Sequence, residues 1–129
     1  MTFGFYGKGS RTERELIGLF AAQGFSVVRA AGSGVAGECP DILAFRSGKQ
    51  FAFESKAWDR GALQLDKEQF LALKKWMDNT GITTMVAWRV SRDGWYFIHL
   101  AEFNENPKSF SVTLERTKLL NRRIDELLK

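Results

Sequence analysis

From Gly9 to Gln23 the apolar residues Leu16, Ile17 and Phe20 fall three, four and seven positions after Glu13. That spacing predicts an amphipathic helix, with Gly24 as its C-cap. Three short apolar runs then predict strands, Phe25 to Ala31, Asp41 to Arg46 and Phe51 to Ala57, because four to five apolar residues bounded by Pro, Gly and Ser suit a sheet better than a short helix. Arg46-Ser47-Gly48-Lys49 reads as a hairpin turn. With Ser47-Gly48 as a two-residue loop, Arg46 faces Lys49, and counting outward sets Asp41 directly opposite Glu54. Side chains alternate along a strand, so Glu54 and Lys56 share one face while Phe53 and Ser55 take the other.

The remaining pattern continues the alternation of helix and sheet. Trp58 to Leu65 reads as a loop. Asp66 predicts an N-cap, with Gln69 completing a capping box, for a helix to about Asn79 whose Phe70, Leu73, Trp76 and Met77 pack on the sheet. Lys74 and Lys75 point outward. Ile82 to Val90 is β-rich, and Arg92-Asp93-Gly94-Trp95 carries the Asp-Gly signal of a tight hairpin into a strand from Trp95 to Leu100. Glu102 to Lys108 reads as a loop and Phe110 to Thr113 as a short strand. Leu114 to Lys129 predicts a basic amphipathic helix with Leu120, Ile124 and Leu127 on one face. Met1 to Gly7 is Gly- and aromatic-rich and is expected to be flexible until a partner orders it.

Length bounds the architecture. With 129 residues the chain is expected to be one domain, residues 1–129, with room for a three-layer core. Its 44% hydrophobic and 26% charged residues are an ordinary globular balance, which argues against a disordered chain. A net charge of +4 favours a polyanionic partner, although many soluble proteins are as basic. One cysteine, Cys39, forms no internal disulfide. No apolar run approaches twenty residues and no secretory signal is visible, so a soluble intracellular protein without a membrane partner is expected. The single histidine, His99, has no Cys or His neighbours and reads as a partly buried strand residue rather than a ligand.

The chemistry concentrates at Asp41, Glu54 and Lys56. Two carboxylates brought together in a partly desolvated place repel, and the arrangement needs a cation between them. Lys56 or a divalent metal supplies it; alternatively the three form an ordinary cross-strand salt bridge on a solvated face. Glu13 lies on the apolar stripe of the first helix, where an unpaired carboxylate is costly. It either joins the Asp41 and Glu54 cluster or sits at the exposed end of the stripe, favoured by the helix dipole. Arg11, Arg14 and Glu15 fall elsewhere around the helix, toward solvent. A Gly-rich stretch, Arg29-Ala30-Ala31-Gly32-Ser33-Gly34, leads into Pro40-Asp41; its glycines let backbone amides approach a phosphate and Ser33 can donate a further hydrogen bond. Hard cations such as Mg²⁺ take carboxylate and water oxygens and leave positions open for phosphate, so the whole points to phosphodiester hydrolysis.

These motifs, Lys8-Gly9 with Glu13-Arg14-Glu15-Leu16, Gly24-Phe25 with Val27-Val28-Arg29, Gly32-Ser33-Gly34, Pro40-Asp41-Ile42 and Glu54-Ser55-Lys56, closely resemble those of the archaeal-type Holliday junction resolvases. That family belongs to the PD-(D/E)xK nucleases. The resemblance is strongest over residues 8 to 57 and fades to general layout from Trp58 onward. It implies an α/β fold with a restriction-endonuclease-like core, a mixed, mostly antiparallel five-stranded sheet flanked by helices. It also implies Glu13, Asp41 and Glu54 as metal-binding carboxylates, Lys56 as the catalytic lysine and Ser33 as an active-site serine. Arg14 and Arg29 resemble the family's essential arginines, and Lys8 and Arg11 match a basic stretch that touches DNA. The segment Gly34 to Cys39 departs from the family in its Val-Ala-Gly-Glu-Cys.

The implied enzyme is a Mg²⁺-dependent endodeoxyribonuclease, with Mn²⁺ as a substitute, acting on four-way junction DNA. A sequence-specific or nicking endonuclease with the same core, or an inactive DNA-binding module, is the alternative. Arg60 meets either a phosphate or solvent, and Gln69 is placed to approach the metal site. The four Trp and eleven Phe exceed what one small core needs. Trp76, Trp88 and Trp95 are therefore candidates for a homodimer face, unless all of them pack within one subunit. A two-fold dimer also matches a junction with two strands of like polarity to cut. A sliding clamp is a further partner class the residues neither require nor exclude.

Overall fold

A computed structural model describes residues 3–30 and 39–129, with side chains from residue 11 onward. Its first helix, α1, spans Phe3–Ala21. It starts six residues before the expected Gly9, so the Gly- and aromatic-rich stretch from Phe3 is helical. Leu16 and Phe20 are fully buried, as the three-to-four spacing requires. Gly24, at φ +83°, reverses the chain in a conformation a side chain would strain.

Strands β1 (Ser26–Arg29), β2 (Ile42–Arg46) and β3 (Lys49–Ala57) follow. The β2–β3 hairpin has the expected register, Arg46 opposite Lys49 and Ile42 opposite Phe53, closed by Ser47-Gly48 with Gly48 at φ +81°. Where a loop was expected after Trp58, Ala62–Asp66 forms β4. Leu63 and Leu65 are buried while Gln64 is exposed, the alternation of a half-buried strand. Helix α2 (Lys67–Thr80) begins where predicted, with the Asp66 side chain accepting the Gln69 backbone N–H.

Strand β5 (Thr83–Val90) pairs in parallel with β3 and leads into β6 (Gly94–His99). The hairpin between them is wider than a two-residue turn: Val90 pairs with Gly94, leaving Ser91-Arg92-Asp93 as the loop. Arg92 takes φ +65° there, and the Asp93 N–H closes back on the Val90 carbonyl. The five-stranded sheet runs β1-β2-β3-β5-β6, antiparallel except at β3–β5.

A short 3-10 helix (Leu100–Glu102) leads to β7 (Asn104–Glu105) and β8 (Ser109–Thr113), which with β4 form a second, three-stranded sheet. The expected C-terminal helix is instead two, α3 (Leu114–Leu120) and α4 (Ile124–Leu127). Asn121 stops the first by entering the left-handed region at φ +44°. Beyond it Arg122 adds its carbonyl to the Phe97 N–H at the edge of β6 and clamps Glu102 bidentately at 2.7 Å. Consequently Leu120 is exposed and Leu127 buried, and they do not share a face.

The main sheet is buried on both sides. One core sets α1 and α4 against Ile42, Phe53, Met85 and Phe97, centred on Phe20, whose ring lies 4.9 Å from Phe53 and 5.2 Å from Phe25. The other packs α2 and the small sheet on Val86, Trp88, Tyr96 and Ile98. Each fully buried side chain of this size contributes about 1.5–3 kcal/mol. Trp88 and Trp95 belong to these cores, at 0% and 7% exposure, and are not surface residues of a dimer. The aromatic excess is used on two faces of one sheet rather than one.

Candidate active site

The hairpin register carries Asp41 and Glu54 to the same level at the open end of β2 and β3. Asp41 is fixed from two directions: its carbonyl accepts the Ala30 N–H at 2.7 Å, and its Oδ2 accepts the Ser55 N–H at 3.0 Å. Glu54 is buried. Its Oε2 accepts from Gln69 Nε2 at 2.8 Å and lies 3.8 Å from Lys56 Nζ. Gln69 thus serves Asp66 with its backbone and Glu54 with its side chain, so the amide that a capping box would turn back on Asp66 reaches across to β3 instead.

Glu13 approaches the pair from α1. Its Oε1 accepts from Arg29 Nε at 2.6 Å, and its side chain is only 13% exposed. Its charge raises the proton affinity of both Asp41 and Glu54, which brings the three acids into one electrostatic neighbourhood. Burial is the main cause in each case. It lifts Asp41 above the usual carboxylate range, against the Ser55 N–H. Glu54 is pushed up to about 8 by burial and then by Asp41, with Lys56 opposing. Buried Glu54 lies 3.8 Å from the Lys56 ammonium, and Lys56 and Arg29 together do not offset what raises half-buried Asp41, so the pair is short of positive charge.

That deficit is what a hard divalent cation relieves. Among the described residues no three His, Cys, Asp or Glu side chains are grouped so as to hold a metal ion, so Glu13, Asp41 and Glu54 do not form a ready-made three-ligand site. Mg²⁺ does not need one, since one or two carboxylates plus water suffice. Asp41 and Glu54 fit that donor set, with Glu13 beside them.

Of the basic residues, Arg11 and Arg14 are exposed on α1. Arg11 lines an open cavity of about 370 Å³ with Thr12, Glu15, Ala57, Asp59, Arg89 and Ser91. Arg29 is half-exposed while holding Glu13. Arg60 is exposed, its guanidinium 5.3 Å from the centre of the Trp58 ring. Ser33, the side chain of Lys8 and the Gly34 to Glu38 part of the unusual loop lie outside the described residues. Glu15 is exposed, as expected, and in addition accepts from Arg89 at 2.8 Å and from Trp95 Nε1 at 2.9 Å. The Arg89 hydrogen bond, the largest influence, holds its carboxyl below the usual range. No sequence signal pairs residues 15 and 89, because the contact depends on how α1 crosses β5. His99 has no role at this site: burial lowers its proton affinity, and the nearby Arg122 lowers it further.

Comparison with known proteins agrees with this geometry. The family model for archaeal Holliday junction resolvase (Hjc) matches residues 5–127. A crossover junction endodeoxyribonuclease Hjc of Archaeoglobus fulgidus is 31% identical over 106 residues, covering 81% of this chain and 78% of that protein. The Hjc of Methanocaldococcus jannaschii is 42% identical over 64 residues, 49% of this chain and 44% of its relative. A solved structure of Archaeoglobus fulgidus Hjc, a Holliday junction resolvase, superposes with a TM-score of 0.78 at 28% identity, over 87% of this chain and 88% of that one. The fold is therefore the restriction-endonuclease-like α/β fold expected from the motifs, and the chain belongs to the archaeal Holliday junction resolvase family.

Proposed function

We propose that this chain cleaves four-way junction DNA by Mg²⁺-dependent hydrolysis, with Mn²⁺ able to substitute, and that Glu13, Asp41, Glu54 and Lys56 carry the reaction. The observation that supports it most is the pair Asp41 and Glu54: opposed across a hairpin, both buried enough to hold protons more tightly than usual, and short of a cation. A bound divalent ion supplies the charge that stabilises oxygens becoming anionic at phosphorus. Asp41, locked by the Ser55 N–H, and Glu54, locked by Gln69, would hold that ion without rearranging.

Lys56 holds the attacking water or a non-bridging phosphate oxygen in place. The water loses a proton to solvent as its oxygen bonds to phosphorus, the bond to the 3′ oxygen breaks, and that oxygen takes a proton from solvent, so the products carry a 5′-phosphate and a 3′-hydroxyl. Lys8, Arg11, Arg14 and Arg29 are the proposed phosphate contacts, with Ser33 assisting at the site. Such contacts position the DNA without reading its sequence and make affinity fall with salt.

A homodimer fits a junction with two like strands to cut. With Trp88 and Trp95 in the cores, Trp76 is the remaining Trp of the expected face. It lies two helical turns beyond Gln69 on α2, and its indole N–H is buried without a partner among the described residues. Val28, paired with Leu43 at the β1–β2 end of the sheet, is 50% exposed.

The test is cleavage of a synthetic four-way junction beside a flap and a plain duplex, with Mg²⁺ and in EDTA. Junction-selective cleavage that is lost in D41N while binding persists supports the reading. Failure of the wild type to cleave the junction with either metal overturns it.

A further inference from the structure

Past Lys56 the chain carries a feature that hydrolysis does not use. Strand β3 ends at Ala57, but its pairing continues for one residue: the Trp58 N–H donates to the Arg89 carbonyl at 3.2 Å. Side chains on an extended chain alternate, so Trp58 follows Glu54 and Lys56 on their face of the sheet.

Its position is fixed from three sides. Besides the N–H, its carbonyl accepts the indole N–H of buried Trp88 at 2.8 Å, and its own indole N–H donates to the Ala62 carbonyl at 2.9 Å. Every polar group of Trp58 is thereby satisfied by the fold, and nothing of its hydrogen bonding is left to direct it elsewhere. Yet the side chain is 37% exposed, while Trp88 and Trp95 are buried. The exposed Arg60 lays its guanidinium over the ring at 5.3 Å. A rigidly held indole beside a planar cation is the surface on which unstacked nucleobases settle, because every base has a π-face and the guanidinium both stacks and neutralises phosphate.

We propose that Trp58 and Arg60 form a stacking platform that receives a nucleobase unstacked at the branch point, beside the scissile phosphate. This rests on the junction-cleaving function proposed above. In an intact duplex each base is stacked on both faces and offers the indole nothing. At a branch point stacking is interrupted, so the platform discriminates by the state of the bases rather than by their identity. Trp58 and Arg60 are specificity-determining residues in this scheme, and Lys56, two positions away, remains the residue at the phosphate.

The experiment compares W58F, which keeps a ring, with W58L, which keeps apolar bulk without one, and R60A, against wild type. Affinity is measured in EDTA for a synthetic four-way junction and for a duplex of equal length, and junction cleavage is then measured in Mg²⁺. Loss of one base–aromatic stack is expected to weaken W58L for the junction by about tenfold. Duplex affinity should stay unchanged, W58F should remain near wild type, and R60A should be intermediate. Equal junction affinity in W58L and wild type overturns the platform. So does an equal loss on junction and duplex, which marks a structural role, and so does an effect in R60A alone, which marks a simple phosphate contact. A wild type that does not cleave the junction at all would instead refute the underlying function, so the two failures are distinguishable.

Discussion

Gln69 Nε2 donates to Glu54 Oε2 at 2.8 Å, tying the first turn of α2 to the most perturbed carboxylate of the site. The bond selects one rotamer of Glu54 and leaves its other oxygen for an ion. A hydrogen bond to a charged group contributes about 1.5–3 kcal/mol, so Gln69→Ala should lower kcat for junction cleavage by roughly tenfold. Junction affinity in EDTA should not change, because Gln69 is not among the proposed DNA contacts. Steady-state kinetics together with a binding titration separate the two effects.

Much of this site is legible in the amino-acid sequence. The two-residue loop Ser47-Gly48 sets the register by counting, and the helical spacing of Leu16, Ile17 and Phe20 puts Glu13 on the inward stripe. What escapes is tertiary. The alternation Ala62-Leu63-Gln64-Leu65 is present in the sequence, but four residues beside Gly61 are too short to outweigh a loop until β8 supplies the pairing. The C-terminal periodicity is equally real. It fails at Asn121, which has low helix propensity and tolerates the left-handed region, so the chain turns to let Arg122 reach Glu102 and Phe97. The tryptophans mislead because the sequence does not announce that a second small sheet covers the far face of the first.

The tryptophans now separate by role. Trp88 is fully buried and donates to the Trp58 carbonyl, so Trp88→Ala should cost about 3–5 kcal/mol and be read as a loss of thermal stability. Trp76→Glu introduces a charge at the proposed dimer face without opening either core. Its expected outcome is a monomer by sedimentation, with circular dichroism unchanged and junction cleavage reduced.

Arg29 has two demands on it. It pairs with Glu13 at 2.6 Å and is half-exposed toward solvent, where a phosphate would approach. Arg29→Ala should therefore weaken junction binding in EDTA and, by releasing Glu13, lower the Mg²⁺ concentration needed for half-maximal cleavage. The two shifts run in opposite senses. An arginine that only braced the fold would leave the metal requirement where it is.

The same carboxylates govern stability against pH. An unfolded glutamate titrates near 4.5, whereas folded Glu54 is pushed up to about 8, so between those values the native protein keeps a proton the unfolded chain has lost. The resulting stabilisation is full below about 4.5 and disappears as pH rises through about 8; Asp41, raised as well, acts in the same sense. His99 acts oppositely, but only below its ordinary value of 6.5, because its folded form is harder to protonate. Above that value the carboxylates are isolated. In EDTA the melting temperature should fall between about pH 6.5 and 8, and Glu54→Gln, which carries no titrating proton, should flatten that fall. Mg²⁺ replaces the lost proton, so the stabilisation it confers should grow over the same interval in wild type and shrink in the variant. A wild-type melting temperature in EDTA that is level across this interval would mean that Glu54 is already ionised without metal, and that the site is not short of positive charge.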